Sequence, residues 1–126
     1  RMVAYWAAHD EWLGTQHEYT VLTVVPPVPP RAAAVLDREL LNAYYADEGE
    51  KVFHPLRTFL DKQGLKATFL SKTGHIADTI AATASEGSFD LLMMGSHGHG
   101  TLGNLVMGSV ATKVMAHCKV PVLLIR

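Results

Sequence analysis

Asp90-Leu91-Leu92-Met93-Met94-Gly95-Ser96-His97-Gly98, followed after nine residues by Gly108-Ser109-Val110, decides how this chain folds. The apolar run Leu91 to Met94 has no polar alternation, as in a strand buried on both faces of its sheet. Glycines come next, and then a helical-looking stretch from Val110 to His117. The order is strand, loop, helix. Glycines let backbone approach a ligand closely, and a helix N-terminus offers N–H groups and a partial positive charge. Together they suit a phosphate, so the pattern points to nucleotide binding.

The flanking sequence repeats the alternation. Upstream, Ile76, Ala77, Ile80, Ala81 and Ala84 form the apolar stripe of a helix that Gly87 is expected to end. Downstream, Val122-Leu123-Leu124-Ile125 is a final strand. In the first half, Met2, Val3, Trp6, Ala7 and Leu13 recur at helical spacing and Gly14 follows as a stop. Tyr19 to Val25 is rich in β-branched residues and predicts a buried strand, with Pro26 to Pro30 as a stiff loop. Leu36, Leu40, Tyr44, Val52, Leu56, Phe59 and Leu60 predict one long helix from about Ala33 to Lys62, or two helices meeting near Gly49, with Gly64 ending it. Ala67 to Leu70 predicts a short strand. Alternating continuously apolar strands with helices predicts a single α/β doubly wound, Rossmann-like domain over residues 1–126, with a parallel sheet and helices on both faces. Ligands of such sheets bind beyond the carboxyl ends of the strands, where Val24-Val25 and Met94-Gly95 both fall.

Length and composition narrow the classes. The chain has 126 residues, 48% of them apolar, and a formal charge of −1, so it offers no field to attract nucleic acid. No apolar run approaches the roughly 20 residues that cross a bilayer. The one cysteine, Cys118, cannot form an internal disulfide. These features predict a cytoplasmic protein with neither nucleic acid nor membrane as partner.

Two phosphate motifs fail on this loop. Five residues beyond Gly98 stands Gly103, but Asn104 and Leu105 follow it where a P-loop has Lys and Ser or Thr. Gly98-His99-Gly100-Thr101-Leu102-Gly103 matches the dinucleotide pattern G-x-G-x-x-G, yet the acid expected roughly 20 residues later is absent from the closing strand.

Met94-Gly95-Ser96-His97-Gly98, then Gly108-Ser109-Val110, and the closing Val120-Pro121-Val122-Leu123-Leu124-Ile125-Arg126 resemble the ATP-binding branch of the universal stress protein family, whose motif is G-x-x-G, nine residues, G-[ST]. The resemblance runs over essentially the whole chain. It implies that Met94, Gly95, His97 and Gly98 line the ribose and phosphates of ATP, ADP or AMP, that Gly108, Ser109 and Val110 present helix N-terminal amides, and that the backbone of Val24 meets the adenine edge. Ala111 departs from the family, where a hydroxyl residue can contact phosphate, and Thr112 beside it points elsewhere on a helix. Members have a five-stranded parallel sheet and open on a strand ending in an Asp-containing loop, which predicts roughly 10–15 further residues before Arg1. Mg²⁺ or Mn²⁺ is expected with the nucleotide only. A homodimer is expected through the edge strand Val122, Leu123, Leu124 and Ile125.

The remaining residues carry plainer expectations. His97 and His99 alternate in the loop with no acid or Cys near them, a poor metal pair. Cys118 is expected to be a packing residue and Lys113 a solvated one. Tyr44, Tyr45, Phe53 and Phe59 are assigned to the core, and Asp37-Arg38-Glu39 and Asp47-Glu48 to Lys51 to a solvated face. The leading function is a non-enzymatic or very slowly hydrolysing, nucleotide-dependent stress module. The alternatives are a nucleotide-independent dimeric interaction protein of the same fold and a nucleotide hydrolase or adenylyl-transferring enzyme, the last needing positioned charge that the motif does not supply.

Overall fold

The computed structural model describes residues 2–14, 16–96 and 107–126, and the chain divides into two compact units, residues 9–75 and residues 1–8 with 76–126. The expected sheet is represented by a two-stranded parallel ladder in each.

In the unit of residues 9–75, strand β1 (Thr20–Val25) pairs in parallel with β2 (Thr68–Thr73), Thr20 opposite Thr68 and Val25 opposite Thr73. Between them run helices α3 (Pro30–Val35) and α4 (Arg38–Lys62). Gly49, Phe53 and Leu60 form the buried stripe of α4, and the Phe53 ring meets Phe69 of β2 edge-on at 5.1 Å. Arg57 lies over the other part of the same contact, 4.8 Å from the Phe69 centroid, and its guanidinium bonds Glu50. That bond holds the Glu50 carboxyl below its ordinary range and raises Arg57.

Several boundaries differ from the sequence expectation. The helical interruption falls at Leu36-Asp37, not Gly49: Leu36 is extended, and Asp37 stands in extended geometry at the start of α4. Pro30 opens α3 instead of closing a loop, since a proline at the first helical position gives up an N–H that has no partner there. Tyr44 is 44% exposed and so is not core, while Tyr45 is half-buried and its hydroxyl accepts the Val28 N–H at 3.0 Å. Strand β2 runs on through Ser71, Lys72 and Thr73, polar residues held by pairing with β1.

The other unit contains α1 (Met2–Ala8), α5 (Ile76–Glu86), β3 (Leu92–Gly95), α6 (Ser109–His117) and β4 (Val122–Ile125). The single helix expected over Met2 to Leu13 is two, because His9 leaves helical geometry (φ −127°, ψ 32°) before α2 (Asp10–Leu13) begins in the first unit. Strands β3 and β4 pair in parallel, Leu92 opposite Val122 and Gly95 opposite Ile125. Ala77, Met94, Ala111 and Val114 are the buried centre, with Ile80, Leu92, Val110, Cys118, Val122 and Leu124 packed on it. Small side chains on α5 and α6 let both helices seat closely on the ladder. Cys118 is half-buried, a packing residue as expected. At the end of α5 the left-handed backbone belongs to Ser88 (φ 57°) and not to Gly87.

Candidate functional site

Met94, Gly95, Gly108, Ser109 and Val110 all lie in the second unit, where β3 ends and α6 begins. Apolar burial fixes β3: Met94 is in the core and Gly95 is its last residue. The same burial fixes α6, whose Ala111 is 2% exposed and Val114 0%. Between these elements, the Gly108 N–H donates to the Ser96 carbonyl at 2.7 Å. Ser96 and Gly108 are therefore joined directly. His97 and Gly98 fall within that segment and lie outside the described residues, as do His99, Gly100 and Gly103.

Gly108 is the N-cap residue of α6 and brings no side chain to cap it. Its φ of −61° and ψ of 152° suit any residue, so glycine is not required here by backbone conformation. Ser109 is exposed at the first helical position with its hydroxyl clear of the core, and Val110 is half-buried against the core cluster. Helix first-turn amides have no intrahelical acceptor and carry the positive end of the dipole, which fits phosphate oxygens. Ala111, where the family can carry a hydroxyl, is 2% exposed and packs in the core cluster. Thr112 is exposed and returns its hydroxyl to the Gly108 carbonyl at 3.0 Å.

Lys113 is not simply solvated. Its ammonium pairs with Asp78 of α5 at 3.5 Å, with both side chains about half exposed, a contact of small energetic weight. Val24 belongs to the other unit, on β1 opposite Lys72. Val122, Leu123 and Leu124 are half-buried and Ile125 is 6% exposed, with Val122 and Leu124 turned onto the core cluster. Among the described residues no group of three His, Cys, Asp or Glu gathers as for a metal ion, and no helix is long and apolar enough to cross a membrane.

One residue beside the site was not singled out by sequence. Ser96 is 7% exposed, and its N–H (2.9 Å) and Oγ–H (3.3 Å) both donate to the Ile125 carbonyl. Its only sequence signal is a hydroxyl directly after an apolar strand, at a position that the motif leaves undefined.

The universal stress protein family model matches residues 3–126. A universal stress protein of Synechocystis sp. is 36% identical over 67 residues, a stretch that is 53% of this chain and 23% of that protein, so the chain spans only about a quarter of that relative. Among solved structures, the hypothetical protein MJ0577, whose biochemical function was assigned from its structure, superposes with a TM-score of 0.74 at 24% identity, covering 98% of this chain and 88% of that one. A universal stress protein crystallised in complex with cAMP superposes with a TM-score of 0.63 at 19% identity, covering 100% of this chain and 85% of that one. These likenesses give the α/β fold, and the match over nearly every residue gives the lineage: the chain belongs to the universal stress protein family.

Proposed function

We propose that residues 1–126 form one universal stress protein domain that binds an adenine nucleotide at the N-terminus of α6 and acts in the stress response through nucleotide-dependent association as a homodimer. The observation that carries it is the join between β3 and α6: Gly108, an N-cap glycine without a capping side chain and followed by exposed Ser109, donates its N–H to Ser96, the residue directly after the strand. Gly95, Gly108, Ser109 and Val110 would hold the phosphates through backbone and hydroxyl donors, with Met94 beneath them. His97 and Gly98 are assigned to the same ligand by the family motif, and Val24 to adenine by the family likeness alone. Bound triphosphate would bring Mg²⁺ or Mn²⁺, coordinated mostly by phosphate oxygens and water. Donors of this kind bind and orient; they do not supply the positioned charge and nucleophile that fast phosphoryl transfer requires.

Calorimetric titration with ATP, ADP, AMP and cAMP tests the reading, cAMP being included because a structural neighbour was crystallised with it. Replacing Gly108 by Val keeps an allowed backbone and adds bulk where phosphate should sit. Affinity is expected to fall at least about tenfold, or about 1.4 kcal/mol. Unchanged affinity in the folded variant would remove α6 from the site.

A further inference from the structure

We propose that Ser96 is a positioning residue that couples the ligand end of α6 to the pairing strand β4, so that nucleotide binding and dimerisation are one linked equilibrium. The proposal rests on the nucleotide site and on the β4 homodimer put forward above, and adds how one controls the other.

Among the described residues, three hydrogen bonds meet at Ser96. Its carbonyl takes the N–H of Gly108 at 2.7 Å, fixing the first residue of the α6 cap. Its own N–H and Oγ–H both go to the carbonyl of Ile125, the last residue of β4, at 2.9 and 3.3 Å. A single residue thus holds the helix start in one direction and the strand end in the other. At 7% exposure its hydroxyl sits where water is largely excluded, so loss of the Oγ bond is not simply repaired by solvent. The side chains reinforce the path. Ala111 and Val114 of α6 pack in the same cluster as Val122 and Leu124 of β4, so a shift of the helix start is felt along the strand.

A ligand that grips the first-turn amides favours the position of α6 in which they converge. Through Ser96, that position also fixes where β4 ends and presents its outer edge. Linkage is reciprocal: whatever factor ATP adds to dimer affinity, the dimer adds to ATP affinity.

The test is sedimentation of the whole protein over a dilution series, with and without saturating MgATP, for wild type, Ser96→Thr and Ser96→Val. Thr keeps the hydroxyl and Val has the same shape without it. ATP should tighten the wild-type dimer about fivefold or more, in the usual range for coupled sites. Ser96→Thr should retain that factor. In Ser96→Val it should shrink to less than about twofold, while calorimetry still detects ATP binding and the melting temperature stays near that of Ser96→Thr. Ser96→Ala replaces Ser96→Val if the branched side chain prevents folding. Equal coupling in the Thr and hydroxyl-free variants overturns the role of Ser96. ATP binding by wild type with no change in dimer affinity overturns the linkage and leaves the nucleotide site standing. Absence of ATP binding, or of a dimer, in wild type refutes the reading of function and this proposal with it.

Discussion

Gly49 stands mid-helix on the buried stripe of α4, and replacing it by Ala sets two effects against each other. Helix propensity favours Ala by about 0.8–1.0 kcal/mol. Against that, a Cβ at residue 49 would lie 2.5 Å from Ser71 Oγ and 3.0 Å from Ser71 Cβ on β2. The hydroxyl can rotate away, but the Cβ cannot, so α4 or β2 must give by a few tenths of an ångström. Thr23 of β1, with its methyl 3.9 Å from the same point, bounds the space on the other side. Overpacking of this kind costs about 1–3 kcal/mol. The steric cost wins, and Gly49→Ala is expected to destabilise by about 1 kcal/mol, lowering the melting temperature by about 4 °C for a chain of this length. Urea unfolding followed by far-ultraviolet circular dichroism measures it. Combining Gly49→Ala with Ser71→Gly should recover at least about 1 kcal/mol relative to the sum of the single changes. A Gly49→Ala protein that gains about 1 kcal/mol, as an exposed helix glycine would, with no coupling to Ser71, refutes close packing of α4 on the strands.

The other expectations are shorter. Ser88→Gly relieves a left-handed residue, and after the added chain entropy of glycine should stabilise by about 0.5 kcal/mol in the same assay. Arg57→Ala removes the contact with Phe69 and the partner of Glu50; because the Glu50 carboxyl is depressed in the folded state, the stability gap to wild type should be full above pH 4.5 and narrow as pH falls through the folded value. Constant separation at all pH values would show the ion pair to be inert. Leu123→Lys should turn the proposed homodimer into monomer by light scattering at micromolar concentration, and Ile125 is left unchanged because it is buried and its carbonyl accepts from Ser96. Apo protein should retain no Mg²⁺ or Zn²⁺ through dialysis and acquire Mg²⁺ or Mn²⁺ only with nucleotide; Zn²⁺ held tightly and lost on His97→Ala or His99→Ala would restore the histidine pair as a metal site.

Elements whose apolar residues decide their position were legible in the sequence. Strand β1, helix α5 and strand β4 fall where the patterns of Val21 to Val25, Ile76 to Ala84 and Val122 to Ile125 put them. Elements positioned by something other than their own hydrophobicity were not. Ser71, Lys72 and Thr73 carry no strand signal, and their conformation follows from the β1 backbone opposite. Glycine at 49 looks like a break along one dimension; only the proximity of Ser71 makes it a close-packing site. The real interruption did have signals, Pro30 at a helix start and Asp37 before α4, which the longer apolar periodicity overrode.

The candidate site divides along the same line. Its placement at the end of β3 and the start of α6 follows from strand-loop-helix order, because that order puts a helix N-terminus beside a strand's carboxyl end wherever the strands are parallel. The internal logic does not follow. The motif defines glycines and one hydroxyl, Ser109, and these describe what a ligand would touch. Ser96 touches Ile125 and Gly108 instead, and a residue that works by holding other residues has a sequence signature only if its partners are known. Ala111 makes the converse point. Its missing hydroxyl reads in the sequence as a lost contact, and only the structure shows that the position is 2% exposed and part of the core packing of α6. The family pattern thus proposes where a ligand would sit, whereas burial shows which of the residues around that place belong to the core packing.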